Sequence, residues 1–299
     1  MSLSLLKDIR AAYSNLNPDG VRTQAEREVN IALIADSDFG YATVERYLAP
    51  SSLSPQKRAR SLAAIHRVSG TSVSGTSGAD KFDFTLCEEG IDCPENGFRF
   101  DRGNPDQTVC NALDAHQDIE LALARTFYPF RDPVVSRIIQ RISRENAMFT
   151  LMTALPNVIP NFIELPWAIG EFATDTAFLT INQVRMAFLI SAASDNAIGY
   201  TDQKGEIATI IASAFGWRAI ARELVGKIPL GGGLIPKGVV SFAGTYAVGR
   251  SLDKFHQTGY GMSRAEHREA YANALEKGRG VVEMLLSTLK AGLRKPTAA

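Results

Sequence analysis

Asp36 and Asp38 are the residues whose type and spacing come closest to a reactive pair. They follow an apolar run, residues 29–35, in the stretch VNIALIADSDFGYAT (29–43). Two carboxylates two residues apart at the end of a strand can share a divalent cation. The same stretch has the layout of a phosphate-binding strand, loop and helix, with residues 43–49 as its helix-compatible part. Written against G-x-x-x-x-G-K-[ST], however, Ala35 stands at the first glycine, Gly40 keeps the second, Tyr41 replaces the lysine and Ala42 replaces the magnesium-binding hydroxyl. A loop of that kind works through backbone N–H groups, one Lys and one hydroxyl on magnesium. Carboxylates facing phosphate oxygens would each cost about 1 kcal/mol at ~4 Å in water, and about 4 at an effective dielectric of ~20. Thr43 lies one residue beyond the hydroxyl position, and a turn of roughly 100° per residue points it elsewhere. The stretch therefore reads as a phosphate loop that has lost its phosphate chemistry.

The rival reading gives the two acids a direct role. Phosphotransferases of the haloacid-dehalogenase type place a nucleophilic Asp and an acid/base Asp two residues apart at a strand end, with magnesium between them. Asp36 and Asp38 fit those two roles. That chemistry also needs a later acidic pair, a Lys and a Ser or Thr from other strand ends, and the chain contains no Asp-Asp pair.

The elements that must position these residues come from a chain of 299 residues with 45% apolar content, enough for one large or two ordinary domains. Thirty-two basic residues balance thirty-two acidic ones, which argues against nucleic acid as a general partner. Cys87, Cys93 and Cys110 are odd in number, and residues 1–15 are amphipathic and charged with no apolar signal core, so free thiols in a reducing cytoplasm are expected. A zinc set of Cys87, Cys93, Cys110 and His116 is disfavoured by gaps wider than the usual knuckle.

The chain divides near Pro129, into an α/β segment over residues 1–128 and a helical bundle over 129–299. In the first part the pattern predicts a helix over 4–15, the strand at 29–35, a helix over 55–68 with Lys57, Arg58, Arg60 and Arg67 on a solvated basic face, a Gly/Ser/Thr-rich loop at 69–80, a strand at 82–87 and a short strand at 98–100. In the second part helical spacing runs over 133–155, and Pro156, Pro160 and Pro166 then interrupt an apolar stretch. Glu164, Glu171 and Asp175, seven and four apart, share one face of any helix that continues through them, with Asn182 extending the stripe to Arg185. A buried polar network closing on Arg185 is the expectation, in preference to a metal site, because bundle metal sites usually add His ligands. Residues 262–295 open with Ser263-Arg264-Ala265-Glu266, a capping box, and continue as an amphipathic helix interrupted at Gly278 and Gly280. No segment is a good membrane span: 176–193 has Asn182, Gln183 and Arg185 at its centre, and only 239–248 of the next apolar stretch is continuous.

Four stretches of the second half, NAMFTLMTALPNVIP, INQVRMAF, SAFGWRAIARELVGKIPLGGGLIPKG and FAGTYAVGRSLDKFHQTG, resemble the bacterial helical family catalogued as domain of unknown function 697. The resemblance covers a little over a third of the chain. It implies a GTPase-linked, often membrane-associated helical module, and it supplies no catalytic residues. The chain departs from GTPase-bearing members at Ala35, Tyr41 and Ala42.

The expectation is thus an α-rich α+β protein, a degenerate phosphate-loop-like segment followed by a mostly helical domain. Its function would be regulatory or scaffolding, without hydrolysis, through a protein partner. Peripheral contact with the inner face of the membrane and self-association stand beside this as further options. No cofactor is expected, magnesium entering only with the Asp36/Asp38 rival.

Overall fold

In the computed structural model the described residues are 16–68, 81–154, 175–210 and 234–293. The expected helix at 4–15, the loop at 69–80, Glu164, Glu171 and the proline-interrupted stretch lie outside them. The chain falls into two compact units. One comprises Asp19–Ser136 with Ser191–Ala197, and the other Arg137–Ile190 and Ile198–Ala299 with Met1–Pro18.

The first unit is built on a four-stranded parallel sheet. Its elements are α1 (Pro18–Ala25), β1 (Ile31–Ile34), α2 (Asp38–Leu48), α3 (Pro55–Ala63), β2 (Ile65–Arg67), β3 (Phe84–Cys87), β4 (Gly97–Arg99), α4 (Pro105–Ala115) and α5 (Glu120–Thr126). The strand order is β2-β1-β3-β4, with Ile31 opposite both Ile65 and Phe84, and Thr85 opposite Gly97. β1 and β3 are buried at every position, which is why IALI and FTLC carry no charge: a parallel strand covered on both faces needs an unbroken apolar run. Leu48, Leu113, Ile119, Leu123, Phe127 and Phe130 complete the core, each under 2% exposed.

Two expectations for this unit change. The helix expected over 55–68 ends at Ala63, and Ile65–Arg67 is a strand on the sheet edge. Its alternation is too short to stand out, since Ile65 alone is buried while His66 and Arg67 are exposed. The basic residues expected on a solvated face are exposed at Arg58, Arg60 and Arg67, and each has a partner. Lys57 and Arg60 reach Asp195, Arg58 donates to the Ala49 carbonyl over 3.2 Å, and Arg67 forks onto Glu45 at 2.7 and 2.9 Å. The thiols differ as well: Cys87 and Cys93 form a disulfide, and Cys110 stays outside it. That consumes two ligands of the imagined zinc set, while the His116 ring stacks on Phe84 at 5.2 Å.

The second unit is helical. It contains most of α6 (Arg131–Thr153) and α7 (Asp175–Ala193), and all of α8 (Leu234–Thr258) and α9 (Arg264–Leu293). The Phe149 and Phe178 rings stack at 3.8 Å between α6 and α7. Ala147, Leu151, Val239, Phe242 and Val282 form one buried cluster. The capping box closes α9 as the sequence indicates: Ser263 N–H donates to Glu266 Oε2 at 2.8 Å and Glu266 N–H donates to Ser263 Oγ at 3.3 Å. That helix is not interrupted at Gly278 and Gly280. A Cβ on Gly278 would come within 3.0 Å of the Phe242 ring, so the glycine admits α8 and leaves the helix unbroken. No helix among the described residues is long and apolar enough to cross a membrane.

Candidate functional site

The strand order β2-β1-β3-β4 reverses direction between β1 and β3, and in open parallel sheets a crevice forms outside the carboxyl ends of the strands at such a point. β1 ends at Ile34, paired in register with Cys87 at the end of β3. The residues immediately after each strand, Ala35 to Ser37 and Glu88, are thereby brought to one edge. From Ile34 the chain needs only three residues to enter α2, so Gly40, Tyr41 and Ala42 lie within the helix and not in a loop.

Ser37 is the N-cap of α2, its Oγ accepting from the Gly40 N–H at 3.1 Å. The Asp36 N–H donates to Glu88 Oε2, also at 3.1 Å. Glu88 is 7% exposed, and Arg102 donates from Nη2 to its other oxygen. A Cβ at Gly40 would lie 2.0 Å from Glu88 Oε2. The retained glycine therefore has a physical cause: the Glu88 carboxylate is packed against the first turn of α2. A helix N-terminus carries partial positive charge and unsatisfied N–H groups, which makes it an anion seat. Here a carboxylate of the protein itself lies against that first turn, bonded to the Asp36 N–H just ahead of the N-cap.

The other residues singled out from the sequence surround this seat without entering it. Asp36 and Asp38 lie outside the core, and Asp38 is 3.5 Å from Arg67 Nη1. Arg67 also covers the Tyr41 ring at 4.9 Å, and the Tyr41 hydroxyl donates to the Val68 carbonyl at 3.2 Å. The Thr43 hydroxyl donates to the Phe39 carbonyl at 2.7 Å, within its own helix. Phe39 is 69% exposed, with the Arg102 guanidinium 5.8 Å from its ring centroid. Among the described residues, no group of three or more His, Cys, Asp or Glu side chains is placed to hold a metal ion.

The helical unit holds the second candidate. Arg185 Nη1 donates to Glu145 Oε2 at 3.0 Å, and Asn182 Nδ2 reaches the same oxygen at 3.1 Å and Asn146 Oδ1 at 2.9 Å. Asn146 Nδ2 in turn donates to Thr245 Oγ1 at 2.8 Å. Burial pulls the Arg185 guanidinium below its ordinary value, opposed by the Glu145 carboxylate beside it, with Arg141 adding a smaller downward push. Asn182 and Arg185 are thus brought together, but by Glu145 and Asn146 of α6, which the sequence stripe did not contain. Asp175 is the first residue of α7. Glu145 immediately precedes the NAMF stretch, and the missing signal was its pairing across 40 residues of chain. Three of the quoted stretches, NAMFTLM, INQVRMAF and FAGTYAV, supply Asn146, Asn182, Arg185 and Thr245 to this network.

Comparison with protein-family models, with curated proteins and with solved structures found no match for the chain.

Proposed function

We propose that the protein is a non-hydrolysing, pseudo-GTPase-like regulatory or scaffolding protein that acts through protein contacts. The observation that carries this reading is Glu88. Its carboxylate lies against the first turn of α2, held by the Asp36 N–H and by Arg102. A phosphate entering there would have to displace a buried, doubly bonded carboxylate, and Tyr41 and Ala42 would offer it neither a cation nor a hydroxyl for magnesium. The crevice edge instead presents Phe39 beside Arg102 and Tyr41 beneath Arg67, aromatic and Arg side chains of the kind that dominate protein interfaces. Membership of the family catalogued as domain of unknown function 697 belongs to the same proposal. It is supported by the convergence of three of the resembling stretches on one hydrogen-bonded network. Contact with a membrane surface would fit that family and is part of the proposal only in that sense.

The test is turnover. Purified protein with magnesium and GTP, ATP or a generic phosphate ester is expected to release no phosphate above the buffer rate. Release that survives rigorous purification and disappears in Asp36→Asn would replace this reading with a magnesium-dependent phosphotransferase using Asp36 and Asp38.

A further inference from the structure

A groove of about 560 Å³ opens in the α/β unit at the amino ends of β1 and β2, the opposite edge of the sheet from Glu88. Glu26, Arg27 and Glu28 line it from the segment that leads into β1, Arg60 and Ala63 from the end of α3, and Arg125 from α5. Its size lies within the range of small-molecule sites, roughly 300–1,000 Å³.

Next to the groove lies a cluster with more positive charge than its own carboxylate can balance. Asp195 adopts a left-handed backbone conformation, φ +58°, and its side chain is 4% exposed. Lys57 Nζ lies 3.0 Å and Arg60 Nη2 2.9 Å from its Oδ2, with Arg125 Nε 3.7 Å from Oδ1 and Arg131 Nη2 3.9 Å from Oδ2. Four cations against one carboxylate leave a formal +3, and Glu26, 3.8 Å from Arg125, reduces this to +2. Arg27 faces two carboxylates, Asp83 at 2.8 Å and Asp118 at 3.5 Å, and with the exposed Glu28 these bring the total around the groove to zero, so the excess positive charge is confined to the Asp195 cluster. Burial pulls the Arg131 guanidinium down, and Arg60 and Arg125 add like-charge repulsion to that. Among the described residues Arg60 bonds only through Nη2, to Asp195 and to the Arg125 carbonyl. Arg60 lines the groove and is half exposed, so further donors of its guanidinium remain available to a ligand.

We propose that this groove binds a small molecule bearing a compact oxyanion, carboxylate or phosphate, on the Arg60 fork, with Arg125 and Lys57 supplying the surrounding field. A planar guanidinium presents parallel N–H donors that match either oxyanion. Glu26 and Glu28 in the lining disfavour a polyanion, which restricts the ligand to small, singly or doubly charged species. The proposal is independent of the reading given to the Glu88 edge.

The experiment is isothermal titration at low ionic strength with two probes, inorganic phosphate and succinate. At least one is expected to bind saturably, and which one does so identifies the oxyanion. Arg60→Gln should weaken that binding about tenfold or more, the value of a charge-assisted hydrogen bond. Because Arg60 also steadies Asp195, Ala63→Glu provides a second variant. Ala63 is exposed and its methyl group gives Asp195 no hydrogen bond, so a carboxylate there should repel the probe by a comparable factor while circular dichroism and melting stay as in the wild type. The proposal is overturned if neither probe saturates, or if a folded Ala63→Glu binds as tightly as the parent.

Discussion

Glu88, the residue after β3, accepts a hydrogen bond from the Asp36 N–H, two residues after β1, across 3.1 Å, and its carboxylate rests against Gly40. In an ordinary helix interior, Gly→Ala stabilises by roughly 0.5–1 kcal/mol. Here the added Cβ would fall 2.0 Å from Glu88 Oε2. It would force the carboxylate off the Asp36 N–H and away from Arg102. Gly40→Ala is therefore expected to destabilise by about 1–3 kcal/mol, the cost of stranding buried hydrogen-bonding groups. Placed on a Glu88→Ala background, the same substitution should be neutral or stabilising. Urea midpoints of the four proteins of this cycle measure the reversal. A stabilising Gly40→Ala in the wild type would show that Glu88 does not lie against the first turn of α2.

Asp195 governs acid stability in the same unit. Burial by itself would raise its carboxyl, but hydrogen bonds from Lys57 and Arg60 outweigh that and hold it below the ordinary carboxylate value. A depressed folded-state value means that the stabilisation is complete above the unfolded value, near pH ~3.9, and is lost as pH falls from there through the folded value. Asp195→Asn tolerates the same left-handed backbone and removes only the charge. It should cost about 2–3 kcal/mol at neutral pH, below the ~3–5 of a fully buried pair because Lys57 and Arg60 are more than a third exposed. Its stability should also fall less than the parent's on acidification below about pH 4. Denaturant melts at neutral and acid pH check both statements.

The Arg185 network makes a prediction for the helical unit. Arg185 and Glu145 are each 20% exposed, so removing one strands the other. Arg185→Ala should destabilise by about 3–5 kcal/mol. A double-mutant cycle with Glu145→Gln should return a coupling of about 1–3 kcal/mol. Additive single-variant effects would mean that Glu145 is not the partner.

The cysteines can be counted. Without reductant, the denatured chain should show one reactive thiol, Cys110, and after reduction all three. Closing so short a loop, six residues apart, is worth about 2 kcal/mol in the chain-entropy account, so reductant should lower the melting temperature measurably. Three reactive thiols before reduction would remove the Cys87–Cys93 bond.

The features legible in the sequence were those that chain neighbours decide. β1 was legible because a central parallel strand must be apolar on both faces, and the α9 capping box because Ser263 and Glu266 are three residues apart. β2 was not, since Ile65–Arg67 sits at the sheet edge with His66 and Arg67 exposed and continues a helical pattern without a visible break. The pairing of Lys57 and Arg60 was not legible, because the carboxylate they meet, Asp195, is more than 130 residues further on. Gly40 was recognised as a retained glycine, yet its cause, the Glu88 carboxylate, lies 52 residues from Asp36, just past the end of β3. The stripe at α7 pointed to Asn182 and Arg185 but not to their acid, because only folding brings Glu145 across from α6. The expectation that linked Glu164 and Glu171 to this network falls outside the described residues.

With Glu88 packed against the N-terminus of α2, no nucleotide should be taken up there. The most direct measurement is the melting temperature of the wild-type protein with magnesium and millimolar GTP or ATP. A ligand at ~100 times its dissociation constant adds about 2.7 kcal/mol to the folded state, an effect that a thermal scan resolves. The melting temperature is expected to be unchanged by either nucleotide. A saturable, magnesium-dependent rise with GTP or ATP would contradict it.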